Sequence, residues 1–75
     1  MNPITKELLE KYNIREYPQE IFHMDGIGKT LFIMWPMKDG EWMYDYLSVD
    51  ESVIARTKIK TEDELITALK FSKLI

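Results

Sequence analysis

Residues 31–49 read L-F-I-M-W-P-M-K-D-G-E-W-M-Y-D-Y-L-S-V, and how they fold decides the architecture of the chain. Leu31, Phe32, Ile33, Met34 and Trp35 are apolar at consecutive positions. The run is too rich in β-branched and aromatic residues for a surface helix. Consecutive residues of a strand point to opposite sides of a sheet, so this strand is apolar on both faces. Pro36 closes the run, and Lys38-Asp39-Gly40 signals a hairpin. Residues 41–49 form the returning strand.

The turn sets which side chains share a face. With a two-residue loop at Asp39-Gly40, Met37 pairs with Trp42, Trp35 with Tyr44 and Ile33 with Tyr46. With a three-residue loop and a glycine bulge, Trp35 faces Met43, and Met34 joins the face of Trp42, Tyr44 and Tyr46. The bulge is favoured because Lys-Asp suits a type I turn and Gly40 the left-handed position. It places Asp45 on the face of Leu31, Ile33 and Trp35, a poor site for a carboxylate away from the rim. The other register sets Asp45 with Phe32 and Met34, which is no better, and the sequence leaves both open.

Working outward, Asn2-Pro3 reads as a helix start. Ile4, Leu8, Leu9 and Tyr12 fall on one face of a helix over 3–12. Asn13 offers a left-handed stop, with Leu9 touching Ile14 across it. Residues 14–18 read as a linker and 19–25 as a short strand, possible at an edge. Gly26 and Gly28 mark a turn, each expected at positive φ. Residues 53–60 form a fourth strand. Thr61-Glu62-Asp63-Glu64 is a capping box opening a helix over 62–72, with Leu65, Ile66, Leu69 and then Ser72 or Lys73 turned inward. The expected fold is one α+β domain over 1–75. It is an antiparallel meander of three to four strands in the order α-β-β-β-β-α, with both helices packed on one face.

That architecture is short of cover. Four strands at about 4.8 Å make a sheet about 19 Å wide, and two helices about 10 Å across roof one such face. The second face is expected to keep exposed apolar groups or to meet another chain.

Gly28-Lys29-Thr30 resembles the end of a phosphate-binding loop. Such a loop has a glycine five positions before Gly28, where this chain has His23, and a helix beginning at the Lys-Thr. The stretch after Thr30 reads as a strand, so the tripeptide is taken as a turn.

The chain has 75 residues, no cysteine, one histidine and a net charge of −3. Disulfides and thiolate metal sites are excluded, and a site needing two histidines cannot form. The mild negative charge disfavours a constitutive nucleic-acid binder. No segment reaches the roughly 20 apolar residues of a membrane span, and M-N-P-I-T-K-E-L-L-E lacks the regions of a signal peptide. The expectation is a complete, soluble, cytoplasmic protein.

From Asp39 to Ala55 the chain holds Asp39, Glu41, Asp45, Asp50 and Glu51 and no lysine or arginine; Arg56, Lys58 and Lys60 come next. An aromatic, acidic hairpin beside a basic strand favours a small non-catalytic interaction or regulatory protein. Its partner is another protein or a second copy in a homodimer. Trp35, Glu41, Trp42, Tyr44, Asp45 and Tyr46 are the candidate partner-binding residues. The alternative is a single-stranded nucleic-acid binder using the same aromatics with Arg56, Lys58 and Lys60. His23, two residues before Asp25, is the one conventional base; with so few partners for it, no catalytic residue, metal site or cofactor is expected.

Overall fold

A computed structural model describes residues 2–75. The elements are α1 (Lys6–Lys11), β1 (Arg15–Glu16), β2 (Phe22–Asp25), β3 (Leu31–Pro36), β4 (Trp42–Leu47), β5 (Val53–Ile59) and α2 (Glu62–Phe71). The strands form one antiparallel sheet in the order β1-β2-β3-β4-β5. The meander therefore has five strands rather than three or four. The extra strand is β1, where Arg15 pairs with His23 and Glu16 with Phe22. It lies in the segment that reads as a linker, and two residues are too few to show a period of two. It also takes the sheet edge expected for residues 19–25.

The central hairpin adopts the register of the three-residue loop. Pro36 pairs with Trp42, Trp35 with Met43, Met34 with Tyr44 and Ile33 with Asp45. The turn chemistry differs from that expected. Asp39 (φ 57) and Gly40 (φ 76) are both left-handed, the sign required at the centre of a type I′ turn rather than a type I. The Glu41 N–H donates to the Lys38 carbonyl at 3.0 Å.

One face of the sheet carries the core. Phe22, Phe32, Met34, Trp42, Tyr44 and Ile59 project from alternate strand positions onto Leu9, Leu65, Ala68 and Leu69 of the two helices. Phe32 and Tyr44 stack at 5.1 Å, and Phe22 meets Trp42 edge-on at 5.3 Å.

α1 begins later than the sequence suggests. Thr5 caps it, its hydroxyl accepting from the Leu8 N–H at 3.1 Å. Residues 2–4 run beside the start of α2 instead. Glu62 N–H donates to the Asn2 carbonyl at 2.8 Å, and Ile4 N–H to the Lys60 carbonyl at 3.0 Å. The far end of α1 closes as expected, with Asn13 at φ 64 and Ile14 N–H on the Leu9 carbonyl at 2.9 Å. α2 ends in the same way without an asparagine or glycine: Lys73 sits at φ 60 and Leu74 N–H reaches the Leu69 carbonyl at 2.9 Å.

The N-terminal segment and the end of α1 converge on the first turn of α2. Glu62 accepts from Asn2 Nδ2 and from the Tyr12 hydroxyl, each at 3.0 Å. Glu64 completes the capping box by accepting from the Lys60 N–H at 2.9 Å and the Thr61 N–H at 3.1 Å. These hydrogen bonds, Asn2 first for Glu62 and Lys60 first for Glu64, hold both carboxyls below the ordinary glutamate value of 4.5. As the pH falls below 4.5 the unfolded chain takes up these protons before the folded one does. The stabilisation is thus complete above that pH and is lost as the pH falls through the lowered values. Thermal unfolding of Glu62→Gln/Glu64→Gln is expected to show a flatter acid limb than the native chain. An unchanged acid limb would dissociate these two carboxylates from stability.

Candidate functional site

The face turned away from the helices is built from the complementary strand positions. Leu31 pairs with Leu47, Ile33 with Asp45 and Trp35 with Met43. Across the next ladder Asp45 pairs with Arg56, Met43 with Lys58 and Leu47 with Val53. Leu31, Ile33, Trp35, Met43 and Leu47 are half-buried, and Val53 is 50% exposed. No helix lies over them among the described residues. A β-bulge between Tyr46 and Leu47 leaves Ile54 as the extra residue of β5, at 51% exposure.

At the middle of this apolar band sits an ion pair. Asp45 has Ile33 beside it on β3, Met43 and Leu47 on either side along β4, and Arg56 opposite on β5. Its side chain is only 8% exposed, whereas that of Arg56 is 57% exposed. Arg56 Nε donates to Oδ1 at 2.7 Å and Nη2 to Oδ2 at 2.8 Å. Such a forked pair satisfies both carboxylate oxygens with one side chain. The hydrogen bond to Asp45, then its charge, raises the Arg56 pKa above the ordinary guanidinium value. The carboxylate that looks misplaced in the sequence is accommodated because its partner lies directly across the next strand. In the sequence Arg56 belongs to a separate basic run, and the eleven-residue separation conceals the match.

The candidate partner-binding residues are divided between the two faces. Trp35 and Asp45 lie on the helix-free face. Trp42 and Tyr44, each 7% exposed, are core residues beneath the helices. Tyr46 shares their side of the sheet and meets Phe71 of α2 edge-on at 6.4 Å. Glu41 is half-buried at the hairpin turn. Leu31, Ile33, Met43, Leu47 and Val53 belong to the face but not to the set that the sequence suggests; their alternation on the favoured register is the signal that identifies them. Of the alternative nucleic-acid set, Arg56 is paired with Asp45, Lys58 stands two residues further along β5, and Lys60 lies just beyond that strand.

The other motifs resolve simply. Gly28-Lys29-Thr30 lies in the turn from β2 to β3, with Gly26 N–H on the Thr30 carbonyl at 2.8 Å and Gly28 at φ 70. Gly26, at φ −101, does not need the left-handed region. It needs the space, because an added Cβ would collide with Thr30 Oγ1. The His23 ring meets Tyr17 edge-on at 6.5 Å rather than a carboxylate. Among the described residues no three histidine, aspartate or glutamate side chains are grouped to hold a metal ion, and no helix is long and apolar enough to cross a membrane. A hollow of about 500 Å³ between the end of α1 and β1 is lined by Lys6, Glu10, Arg15, Glu16 and Phe22. Its two cations and two anions balance, so it offers no net charge to a ligand.

No protein family, curated protein or solved structure matches this chain.

The division of faces generates two mutational expectations. Trp42→Ala should cost about 3–5 kcal/mol in chemical denaturation, a large part of a small domain's stability; Trp35→Ala should cost about 1 kcal/mol. Equal losses would contradict the assignment of faces. Arg56→Ala should lower the thermal midpoint by stranding the Asp45 carboxylate, and Asp45→Val/Arg56→Ile should recover it. Failure of the double variant to recover would assign the lost stability to something other than the pair.

Proposed function

We propose that this is a small non-catalytic interaction protein that binds another protein through the helix-free face of its sheet. The observation that carries the reading is the apolar band of Leu31, Ile33, Trp35, Met43 and Leu47, left without a helical cover and centred on the Asp45–Arg56 pair. A contiguous apolar surface with a polar group inside it suits recognition. Burial of the band supplies affinity, and the fixed guanidinium rewards a correctly placed acceptor.

The arrangement favours a protein over a nucleic acid. Of the aromatic residues that base stacking would use, Trp42 and Tyr44 lie in the core. Asp45 neutralises the Arg56 charge at the centre of the face. What remains is one tryptophan and a short basic margin, too little for the stacking platform and electrostatic groove typical of single-strand binders. A regulator or inhibitor acting by surface occlusion needs no catalytic group, and a homodimer joined through this face is one form of the same proposal.

Ile33→Asp and Leu47→Asp should each abolish partner capture from the native host, while circular dichroism and the thermal transition show that the fold persists. Glu7→Lys, on the opposite side of the molecule, should leave capture intact. Sedimentation at increasing concentration distinguishes a second copy from a different protein. Retention of the same partner by both aspartate variants would overturn the assignment of this face.

A further inference from the structure

We infer that the free edge of β5 is a second recognition site, which takes up an extended acidic peptide segment as an added antiparallel strand. This goes beyond the helix-free face, since it uses main-chain groups at the sheet's margin and a groove on the helix side.

The two sheet edges are unequal. β1 offers two residues, and β5 offers seven, of which Val53, Ile54, Arg56, Thr57 and Lys58 are exposed. Among the described residues, cover arrives only past the end of β5, where Ile4 N–H bonds the Lys60 carbonyl and Pro3 bridges Thr61. An edge strand presents unpaired N–H and C=O groups along its length, a template for another strand.

Alongside this edge runs a groove of about 330 Å³ between β5 and α2. Tyr44, Ile59 and Ala68 give its apolar wall, and Lys58, Asp63 and Glu64 its charged rim. The small residues Ala55 and Thr57 on the helix side of β5 leave it open. Glu64 is engaged in the helix cap, and Asp63 is exposed. Arg56 and Lys58 leave β5 on its other side, and Lys58 reaches the groove as well.

On its helix-free side the edge thus carries Lys58, unpaired among the described residues, and the exposed guanidinium of Arg56, whose charge Asp45 balances; on its helix side lies an apolar groove with a mixed charged rim. A strand is the polymer that fits both, because successive side chains point to opposite faces. Acidic residues at alternate positions would meet Arg56 and Lys58, and the intervening apolar residues would enter the groove. A nucleic-acid strand carries phosphate along its whole length and would meet Asp63. A second copy pairing β5 with β5 about Arg56 would set like charges opposite one another, which is unfavourable.

The test uses the full chain, isotopically labelled, with a capped heptapeptide alternating aspartate and valine. Amide signals of residues 53–59 should shift and their hydrogen exchange should slow, while those of β1 and α1 stay in place. Lys58→Glu, at an exposed position, should weaken binding roughly fivefold and favour a lysine–valine peptide instead. Ile33→Asp should leave the response unchanged, so failure at this edge and failure of the helix-free face are told apart. Four results would each overturn the inference. These are silence of the β5 amides at millimolar peptide, an equal response to a peptide of the same composition with its charges in one block, displacement of the peptide by oligothymidylate, and shifts that depend on protein concentration alone.

Discussion

The register of one hairpin decides the rest of this structure. β3 is apolar at every position from Leu31 to Trp35, so its own sequence cannot say which side belongs to the core. The decision falls to the turn, where Asp39 and Gly40 take left-handed backbone and set Pro36 opposite Trp42. From that pairing Trp42 and Tyr44 enter the core, and Met43, Asp45 and Leu47 face the other way. A slip of one residue in β4 would exchange those sets and put the Asp45 carboxylate beneath the helices. The helices add their own preference. Leu9, Leu65, Ala68 and Leu69 need aromatic and aliphatic partners, and only one register supplies them.

The same register makes the helix-free face what it is. Two short helices account for one side of the sheet, leaving an unroofed apolar band on the other. The band is not uniformly oily, because the pairing of β4 with β5 brings Arg56 to Asp45 at its centre. An ion pair with one buried and one exposed member is a weak source of net stability. Its consequence here is positional: it fixes a polar point, with donors held in a known orientation, in a surface otherwise able to adhere without specificity.

Features written in local chemistry are legible in the sequence. The capping box at Thr61–Glu64, the left-handed stop at Asn13 with Leu9 and Ile14 closing over it and the turn at Gly26–Thr30 each depend on a few adjacent residues; the sequence narrows the hairpin register to two, and left-handed Asp39 and Gly40 accompany the one adopted. Features that depend on distant partners are less so. β1 exists because Arg15 and Glu16 find His23 and Phe22, and nothing in two residues announces that. Asn2 and Pro3 carry a helix-start signal, yet the backbone bonds to Lys60 and Glu62 win, since the chain end can satisfy backbone groups there that a longer helix would leave to water. The candidate site suffers in the same way. Composition gathers aromatic residues from both faces of the sheet, grouping Trp42 and Tyr44 of β4 with Trp35 of β3 although the register sets them on opposite faces.

The Asp45–Arg56 pair also constrains what a partner of the helix-free face must bring. Docking a purely apolar surface there would remove water from the exposed guanidinium without replacing its hydrogen bonds. Desolvating such donors is costly when they are left unpaired. The two donors already committed to Asp45 keep the guanidinium in place, so its remaining N–H groups point in a direction set by the protein rather than by the partner. A partner gains from the apolar band only if an acceptor reaches that point at the same time. Geometry at one residue pair thereby converts a general hydrophobic attraction into a requirement on orientation, and it excludes surfaces that match the band in area alone.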